Sequence, residues 1–407
     1  MKVCVIGGGA SGMMASLLIK QKGHEVLLIE KNEKLGKKIY ITGKGRCNVT
    51  NAVTGNEFLA NVVNNQKFIM SSEVRFNSKD TMALFEDLGV KLKIERGNRV
   101  FPESDKASDI TKALEKRMKL LGVKIMLNTE VSEVLANDQK VVGVRLSNNE
   151  RIDADAVIVA TGGISYPVTG STGDGYKFAE STGHRIVAPV PGLSALILQD
   201  NDLKNLSGLS LKNVTVRAEV KNKNVYISDV GEMLFTGNGV SGPLILSLSS
   251  YINRYPAKDV KVFIDFKPAV GDFALAQRID REIAGLKSKQ FSSLLDLLLP
   301  KALGSVFAGR LKINRTKKAN QLTNEERENF VNMLKNFELK LNKIDDIERA
   351  IITSGGVSTK DIKPKSMESK LVSKLYFIGE VIDVDALTGG FNLQIAFSSA
   401  AACASDF

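Results

Sequence analysis

A glycine-rich loop near the N-terminus, GGGASG at residues 7–12, strongly restricts the folds that this chain can adopt. The apolar run at residues 2–7 predicts a buried strand, and the residues after the loop predict a helix. In such a loop Gly7 permits the tight turn, Gly9 lets the backbone approach a pyrophosphate, and Gly12 lets helix and strand pack closely. Because the helix N-terminus offers N–H groups to phosphates, the sequence predicts a dinucleotide-binding βαβ unit.

The second strand of this unit ends in a carboxylate. The apolar run at residues 25–30 predicts that strand, and its last residue, Glu30, follows Gly12 by 18 residues. A carboxylate at this place accepts hydrogen bonds from a ribose 2′-OH and would repel a 2′-phosphate. The unit therefore favours FAD or NAD, and it does not by itself separate these two.

Later segments favour FAD. A glycine-rich loop at residues 36–48 lies beyond the second strand, where flavoprotein chains run along the pyrophosphate and ribityl chain. The sequence ATGG at 160–163 ends an apolar strand, as it does in flavoproteins with two such motifs. The last strand ends at 379–383, where the Asp383 carboxylate can accept a hydrogen bond from a ribityl hydroxyl. The last helix starts at 389–394. A helix N-terminus there can direct N–H donors to a flavin.

These segments and their neighbours give the predicted set of FAD-binding residues. The set is Gly7, Gly9, Ala10, Ser11, Gly12, Glu30, Lys31, Lys38, Thr42, Gly43, Gly45, Arg46, Cys47, Asn48, Val131, Ala160, Thr161, Gly162, Gly379, Glu380, Asp383, Gly390, Phe391, Asn392 and Gln394. The implied chemistry is hydride transfer at a flavin, for which NADH or NADPH is a candidate electron donor.

Cys47 and Arg46 are the candidate catalytic residues. Lys44 and Arg46 flank the thiol in sequence and are expected to lower its pKa. A thiol beside a flavin can protonate one carbon of a C=C bond when a hydride adds to the other. The alternative is that Cys47 is a small buried residue that packs under the flavin. Arg46 can bind either the pyrophosphate or a substrate phosphate.

A second GxGxxG pattern occurs at residues 237–242. It could form a nicotinamide dinucleotide site. However, Pro243 follows at once and no acid closes a second strand at the expected distance. We therefore predict a structural or substrate-facing loop at this place.

The length of 407 residues predicts two or three domains. Dinucleotide-fold character covers residues 1–190 and returns at 353–407, which we predict to form one FAD-binding domain. Between them, alternating strands predict an inserted β-rich domain at 191–268. Helical patterns at 272–286, 291–299, 301–308, 324–336 and 345–350 predict a mainly helical domain at 269–352. The predicted fold class is α/β: a Rossmann-like, two-motif flavoprotein domain with an inserted β domain and a small helical domain.

The net charge of +11 has two readings. One is a lysine-rich, solvated surface, and the other is a polyanionic partner such as RNA or a phosphorylated substrate. The stretch at residues 34–46 favours the second, because it holds five cations and no acid: Lys34, Lys37, Lys38, Lys44 and Arg46. No nucleic-acid-binding motif and no Trp occur, so composition leaves both readings open.

Targeting and metal signals are weak. The chain enters a strand at once, so no signal peptide is expected, and no apolar run approaches the roughly 20 residues of a membrane span. The three cysteines, Cys4, Cys47 and Cys403, lack any zinc-like or Cys-x-x-Cys spacing, so no metal site is expected. These features predict a cytoplasmic protein that does not bind a membrane.

Over nearly its whole length the chain resembles the bacterial BaiN/YhiN-like flavoproteins, often labelled aminoacetone-oxidase-like. The matching motifs lie at residues 42–51, 160–163 through 173–176, 235–243, 334–337, 353–357 and 379–394. The resemblance implies the three-part architecture described above and non-covalent FAD. It also identifies Gly239 as the fixed glycine of its loop, which makes the GxGxxG spelling there accidental.

The resemblance does not imply one substrate. Activities attributed to such proteins include amine oxidation, reduction of a conjugated steroid ketone and reduction of a uridine in large-subunit ribosomal RNA. Three hypotheses therefore stay open: a reductase of ribosomal RNA uridine, a small-molecule flavin oxidase or ene-reductase, and a flavin-binding protein without turnover.

Overall fold

The computed structural model describes residues 1–407, which divide into two compact units. Unit 1 comprises Met1–Gly192 and Asp346–Phe407, and unit 2 comprises Leu193–Asp345. None of the helices has the length and apolar character needed to cross a membrane.

Unit 1 is an α/β structure, and twelve of its strands and helices end before residue 124. Its strands are β1 (Lys2–Ile6), β2 (Glu25–Ile29), β3 (Thr50–Asn51), β4 (Val62–Asn64), β5 (Leu92–Glu95), β6 (Arg99–Pro102), β7 (Lys124–Met126), β8 (Val131–Asn137), β9 (Lys140–Leu146), β10 (Arg151–Asp153), β11 (Ala156–Val159), β12 (Ile186–Gly192), β21 (Ile352–Val357), β22 (Leu375–Phe377) and β23 (Asp385–Ala386). Its helices are α1 (Ala10–Gln21), α2 (Lys37–Ile41), α3 (Gly55–Leu59), α4 (Gln66–Arg75), α5 (Ser78–Asp87), α6 (Ala107–Leu121), α7 (Asp174–Ser181) and α13 (Phe391–Ala404).

A five-stranded parallel sheet forms the centre of unit 1, in the order β22-β11-β1-β2-β7. β1 is apolar and buried from Val3 to Ile6, as expected for a strand covered on both faces. Helix α13 is rich in alanine and has 12 buried residues, so it packs closely against α1. The predicted Rossmann-like α/β fold is confirmed.

Unit 2 contains an antiparallel sheet with helices. Its strands are β13 (Leu196–Leu198), β14 (Ser210–Val220), β15 (Lys223–Ile227), β16 (Gly231–Thr236), β17 (Gly239–Ser241), β18 (Val260–Asp265), β19 (Phe337–Leu339) and β20 (Leu341–Ile344). Its helices are α8 (Pro243–Ile252), α9 (Asp272–Leu286), α10 (Phe291–Leu298), α11 (Gly304–Leu311) and α12 (Asn324–Lys335).

The eight strands of unit 2 belong to one sheet, in the order β19-β18-β14-β16-β17-β13-β20 with β15 beside β14. Strands that precede the helical segment in the sequence and strands that follow it therefore share one sheet and one hydrophobic core. The sequence pattern FELKLNKI at 337–344 alternates buried and exposed residues over its first five positions, as half-buried strands do. The expected helix at 345–350 is instead a short 3-10 turn at Ile347–Arg349.

Candidate functional site

Two glycines of the 7–12 loop are held against backbone. Gly7 has φ +104°, and a Cβ added to it would lie 2.6 Å from the carbonyl oxygen of Ala160. A Cβ on Gly12 would overlap the carbonyl oxygen of Gly7. The loop therefore joins β1, α1 and the end of β11 at distances that only glycine allows.

Gly9 has a different environment. It precedes α1 with φ −79°, and a Cβ added to it would meet no atom within 4 Å. No side chain caps the N-terminus of α1, so its first N–H groups are available to a ligand at an end of positive partial charge. Neither steric packing nor backbone strain accounts for a glycine here. The open space beside Gly9 leaves room for a phosphate, and its role in letting a pyrophosphate approach stays a prediction.

Glu30 lies beside this loop and is buried. Its Oε2 accepts the N–H of Gly8 at 2.7 Å, and its Oε1 accepts the backbone N–H of Asn32 at 2.8 Å and the Asn32 amide at 2.6 Å. Each carboxylate oxygen can accept further hydrogen bonds. The sequence did not point to Asn32, which holds the carboxylate in position.

The neighbours of Glu30 extend the same region. Its carbonyl accepts the N–H of Thr129, two residues before Val131, which begins β8. Lys31 forms an ion pair with Asp174 at 2.6 Å and also contacts Thr172. Lys31 therefore has partners within the protein that the sequence did not reveal.

Lys38 and Glu380, which are far apart in sequence, form an ion pair of 2.8 Å. The Lys38 ammonium also donates to Ser165 Oγ at 2.7 Å, and Glu380 Oε1 accepts the N–H of Thr353 at 2.9 Å. Thr353 Oγ1 accepts in turn from the backbone of Ile164 at 2.8 Å. These bonds connect four segments of unit 1.

Further predicted residues meet where two strands of the parallel sheet end. A Cβ on Gly379 would lie 2.5 Å from Ser11 Oγ, so the end of β22 reaches the start of α1. Gly162 has φ +73°, and a Cβ added to it would lie 3.9 Å from Glu380 Oε2. Ala160 packs against Gly7 and Gly12.

Buried polar atoms of unit 1 without a hydrogen-bond partner include Asn48 Oδ1, Thr161 Oγ1 and the Tyr176 hydroxyl, in addition to Ser16 Oγ within α1. A buried polar atom without a partner costs about 1–3 kcal/mol, so such atoms suit a site that binds a polar ligand. Burial, and then the carboxylates Glu380 and Asp383, raise the pKa of Tyr176. Asn48, Thr161 and Asp383 were predicted, whereas Tyr176 was not.

The loop that contains Cys47 has an irregular backbone. Gly43, Lys44, Gly45 and Cys47 all have positive φ, between +56° and +85°. Cys47 is fully buried, and burial raises the pKa of its thiol to about 12. The expectation of a lowered pKa is therefore wrong. Desolvation outweighs the hydrogen bond with Thr42, which lowers this pKa.

Arg46 makes ion pairs with Glu95 and, at 2.7 Å, with Asp105, and it stacks on Phe101 at 4.1 Å from the ring centroid. These acids raise the pKa of the guanidinium. Arg46 is thus held by protein carboxylates, which follow it by about 50 residues and leave no local signal.

The cationic stretch at 34–46 is largely neutralised in three dimensions. Lys37 pairs with Glu33 at 3.1 Å, Lys38 pairs with Glu380, and Arg46 has two acids. Lys34 lies over the ring of Tyr40 at 4.8 Å. This stretch therefore offers less unpaired positive charge to a polyanionic partner than its sequence indicates.

The start of α13 lies against Thr50. Gly390 has φ +100°, and a Cβ on it would overlap the Thr50 carbonyl. No side chain caps this helix, so its first N–H groups are available. Phe391 is buried, with its ring 5.7 Å from that of Phe58.

Asn392 and Gln394 use their side-chain amides within the protein. The Asn392 amide accepts the N–H of Ala386 at 2.9 Å and donates to its carbonyl at 2.7 Å. Gln394 Oε1 accepts from the hydroxyls of Thr50 and Thr81, and its Nε2 donates to Phe76 and Ser398. Both side chains hold neighbouring segments against the start of α13.

The pattern at 237–242 forms part of a hairpin in unit 2. β16 pairs antiparallel with β17, and a Cβ on Gly239 would overlap the Leu196 carbonyl. A dinucleotide site needs a parallel strand followed directly by a helix. The structure therefore supports the structural reading of this loop.

Comparison with known proteins places this architecture in a family. The profile described as "HI0933-like protein Rossmann domain" matches residues 1–406. A ribosomal RNA dihydrouridine synthase of Haemophilus influenzae is 34% identical over 405 residues, covering 98% of this chain and 96% of the relative. A 3-dehydro-bile acid delta(4,6)-reductase of Clostridium scindens is 29% identical over 410 residues, covering 98% and 97%.

A solved structure shows the same fold. The 3-ketosteroid delta1-dehydrogenase of Sterolibacterium denitrificans superposes with a TM-score of 0.52 at 13% identity, covering 100% of this chain and 99% of that chain. The chain therefore belongs to the HI0933-like family, which confirms the predicted family, the Rossmann-type fold and the class of FAD-dependent oxidoreductase.

Proposed function

We propose that this FAD-dependent oxidoreductase reduces a uridine of ribosomal RNA. The observation that supports flavin binding best is the loop at residues 7–12, in which Gly7 and Gly12 are packed while Gly9 faces open space at the uncapped start of α1. The relative that is 34% identical over almost the full length of both chains is named a ribosomal RNA dihydrouridine synthase.

The residues of unit 1 fit FAD. Backbone N–H groups at the start of α1 would hold the pyrophosphate, and Glu30 would hold the adenosine ribose. The unpartnered atoms of Asn48 and Thr161 provide an acceptor and a hydroxyl for further polar groups of the cofactor. When bound, FAD supplies a ring that accepts and donates a hydride.

The chain itself supplies charge and position. The N-terminus of α13 carries a positive partial charge, which would stabilise negative charge on a flavin held there. We propose Lys38 and Glu380 as a paired anchor in the same site. Cys47 stays a candidate proton donor, since a thiol with a pKa of about 12 keeps its proton at neutral pH, although such a thiol is a weak acid.

Comparison of ribosomal RNA nucleosides tests the proposed substrate. Mass spectrometry of ribosomal RNA from a strain without the gene should show loss of one dihydrouridine. The wild-type gene should restore it, while a gene for the Glu30→Ala variant should restore less. Unchanged dihydrouridine in the deletion strain would contradict the proposal.

A second candidate is reduction of a conjugated small molecule, favoured by the relative named as a bile acid reductase. If the RNA test is negative, turnover of a conjugated ketone with NADH or NADPH supports this candidate. Peroxide formed on adding a small amine would instead indicate an oxidase. The nicotinamide donor and the cytoplasmic location stay predictions.

A further inference from the structure

Two segments of unit 2 that are rich in cations pair with each other. The N–H of Phe291 donates to the carbonyl of Lys317 at 2.7 Å, and the N–H of Ala319 donates to the carbonyl of Lys289 at 2.9 Å. Gln290 and Lys318 form an antiparallel bridge. Backbone contacts between residues 289–291 and 317–319 thus hold the segment 287–292 next to the segment 312–319.

This pairing creates a group of exposed cations that we call the basic patch, made of Lys287, Lys289, Lys312, Arg315 and Lys318. None of the five forms an ion pair. Lys317, in the same segment, is the exception, because it pairs with Glu326 at 2.7 Å.

The basic patch lacks acids in its sequence neighbourhood. Residues 283–295 and 297–324 contain no Asp or Glu. Unit 2, residues 193–345, holds 23 Lys and Arg against 16 Asp and Glu, a net charge of +7 out of +11 for the chain. The excess positive charge of this protein is therefore concentrated in unit 2, and much of it is unpaired.

Helix capping explains only part of the basic patch. Lys287 and Lys312 follow the last residues of α9 and α11, where a cation interacts favourably with the helix dipole. Lys289, Arg315 and Lys318 have no such position. The positions of these three cations are therefore explained neither by an acidic partner nor by a helix end.

We infer that the basic patch binds the phosphodiester backbone of RNA, an inference that rests on the proposed function. Exposed polar side chains, Ser288, Gln290 and Thr316, lie between the cations and can bond phosphate and sugar oxygens. Within both segments the large apolar side chains, such as Phe291 and Ile313, are buried. Base stacking and membrane insertion both need exposed apolar or aromatic groups, so backbone contact is the mode that fits.

RNA binding by the full-length holoenzyme tests the inference. The test variant is Lys289→Gln/Arg315→Gln/Lys318→Gln. The matched control, Lys212→Gln/Lys223→Gln/Lys261→Gln, removes three exposed cations of unit 2 outside the patch. Fluorescence anisotropy would measure binding of oligouridine and of a mixed-sequence RNA, each of about 20 nucleotides, from about 50 to 200 mM salt.

The patch variant should bind both RNAs about tenfold more weakly, and its salt dependence, the slope of log K against log salt, should fall by about 2. The control variant should change affinity less than about twofold. Three results would overturn the inference: no RNA binding by the wild type, equal binding by the patch variant, or an equal loss in both variants.

Two further measurements separate the alternatives. Vesicles of phosphatidylserine should not bind in a patch-dependent way. If they do and RNA does not, the surface is a lipid site. Dihydrouridine in ribosomal RNA is scored independently: if it is present without the gene while the patch still binds RNA, the proposed function fails and the inference stands. If the patch variant restores dihydrouridine and binds RNA normally, only the inference fails.

Discussion

Glu30 has two roles, and two measurements on one variant report them separately. Its carboxylate accepts the N–H of Gly8 and would also accept ribose hydroxyls. We expect Glu30→Ala to weaken FAD binding at least about tenfold and to lower the free energy of unfolding by about 1–3 kcal/mol, because the buried Gly8 N–H loses its partner. Equilibrium dialysis and urea unfolding measure the two effects. The exposed Glu33→Ala variant is the control. A Glu30→Ala protein that retains FAD like wild type would contradict the assignment.

The burial of two cysteines makes the free energy of unfolding depend on pH. Burial raises the pKa of Cys4 and of Cys47 from 9.0 to about 12. The unfolded thiols ionise first, so their contribution is fully present below pH 9 and is lost as pH rises toward 12. We expect the free energy of unfolding to fall over that range by roughly 1.4 kcal/mol per pH unit for each thiol. Cys4→Ala should show a smaller slope in urea unfolding. An equal slope would contradict this account.

At the scale of single residues, some properties could be predicted from the sequence and others could not. The motif assigns distinct roles to Gly7, Gly9 and Gly12. The close contacts of Gly7 and Gly12 match their packing roles, and Gly9 has open space around it. The charge state of Cys47 could not be predicted, because burial depends on the whole fold. Likewise, the acids that pair with Arg46 come from strands and turns distant in sequence.

At the level of elements, Gly12 determines how closely α1 approaches β1. A methyl group there would overlap the Gly7 carbonyl, so α1 must move. We expect Gly12→Ala to destabilise the protein by more than about 2 kcal/mol and to abolish FAD retention. Gly285→Ala, in α9 with open space around it, should instead be neutral or stabilising by up to about 1 kcal/mol. Similar unfolding midpoints for both variants would contradict this role.

Helices of the chain were largely predictable, and short strands were less so. The predicted helix over 272–286 matches α9, and that over 324–336 matches α12 to within one residue. β19 and β20 were not predicted, because they are only three and four residues long and follow directly after a helix. The alternation of apolar and polar residues in this segment could have predicted these strands.

For the whole molecule, we propose that residues 1–190 and 353–407 bind FAD without the insertion. Gly192 and Ile352 are paired residues of β12 and β21, so a short Gly-Ser linker can replace residues 193–345. We expect this variant to bind FAD within about tenfold of wild type, because the proposed cofactor residues all lie in unit 1. Calorimetric titration measures it. A variant that folds but has no measurable FAD affinity would contradict the proposal.

The long-range organisation was the least predictable level. The sequence indicates an insertion, yet β18 and β19 pair across about 70 residues of mostly helical chain. Such pairing depends on nonlocal packing that no local pattern reports. The segments 191–268 and 269–352, predicted as separate domains, therefore contribute to one sheet and one core in unit 2.

Gly9→Ala tests FAD binding at the glycine loop with the least disturbance. The added methyl group meets no atom within 4 Å, and φ is −79°, so the apoprotein should keep its stability within about 0.5 kcal/mol. The methyl group would occupy the space through which a phosphate approaches the start of α1. Calorimetric titration of the apoprotein with FAD should show at least about a tenfold loss of affinity relative to wild type. Equal FAD affinity in the two proteins would contradict the account.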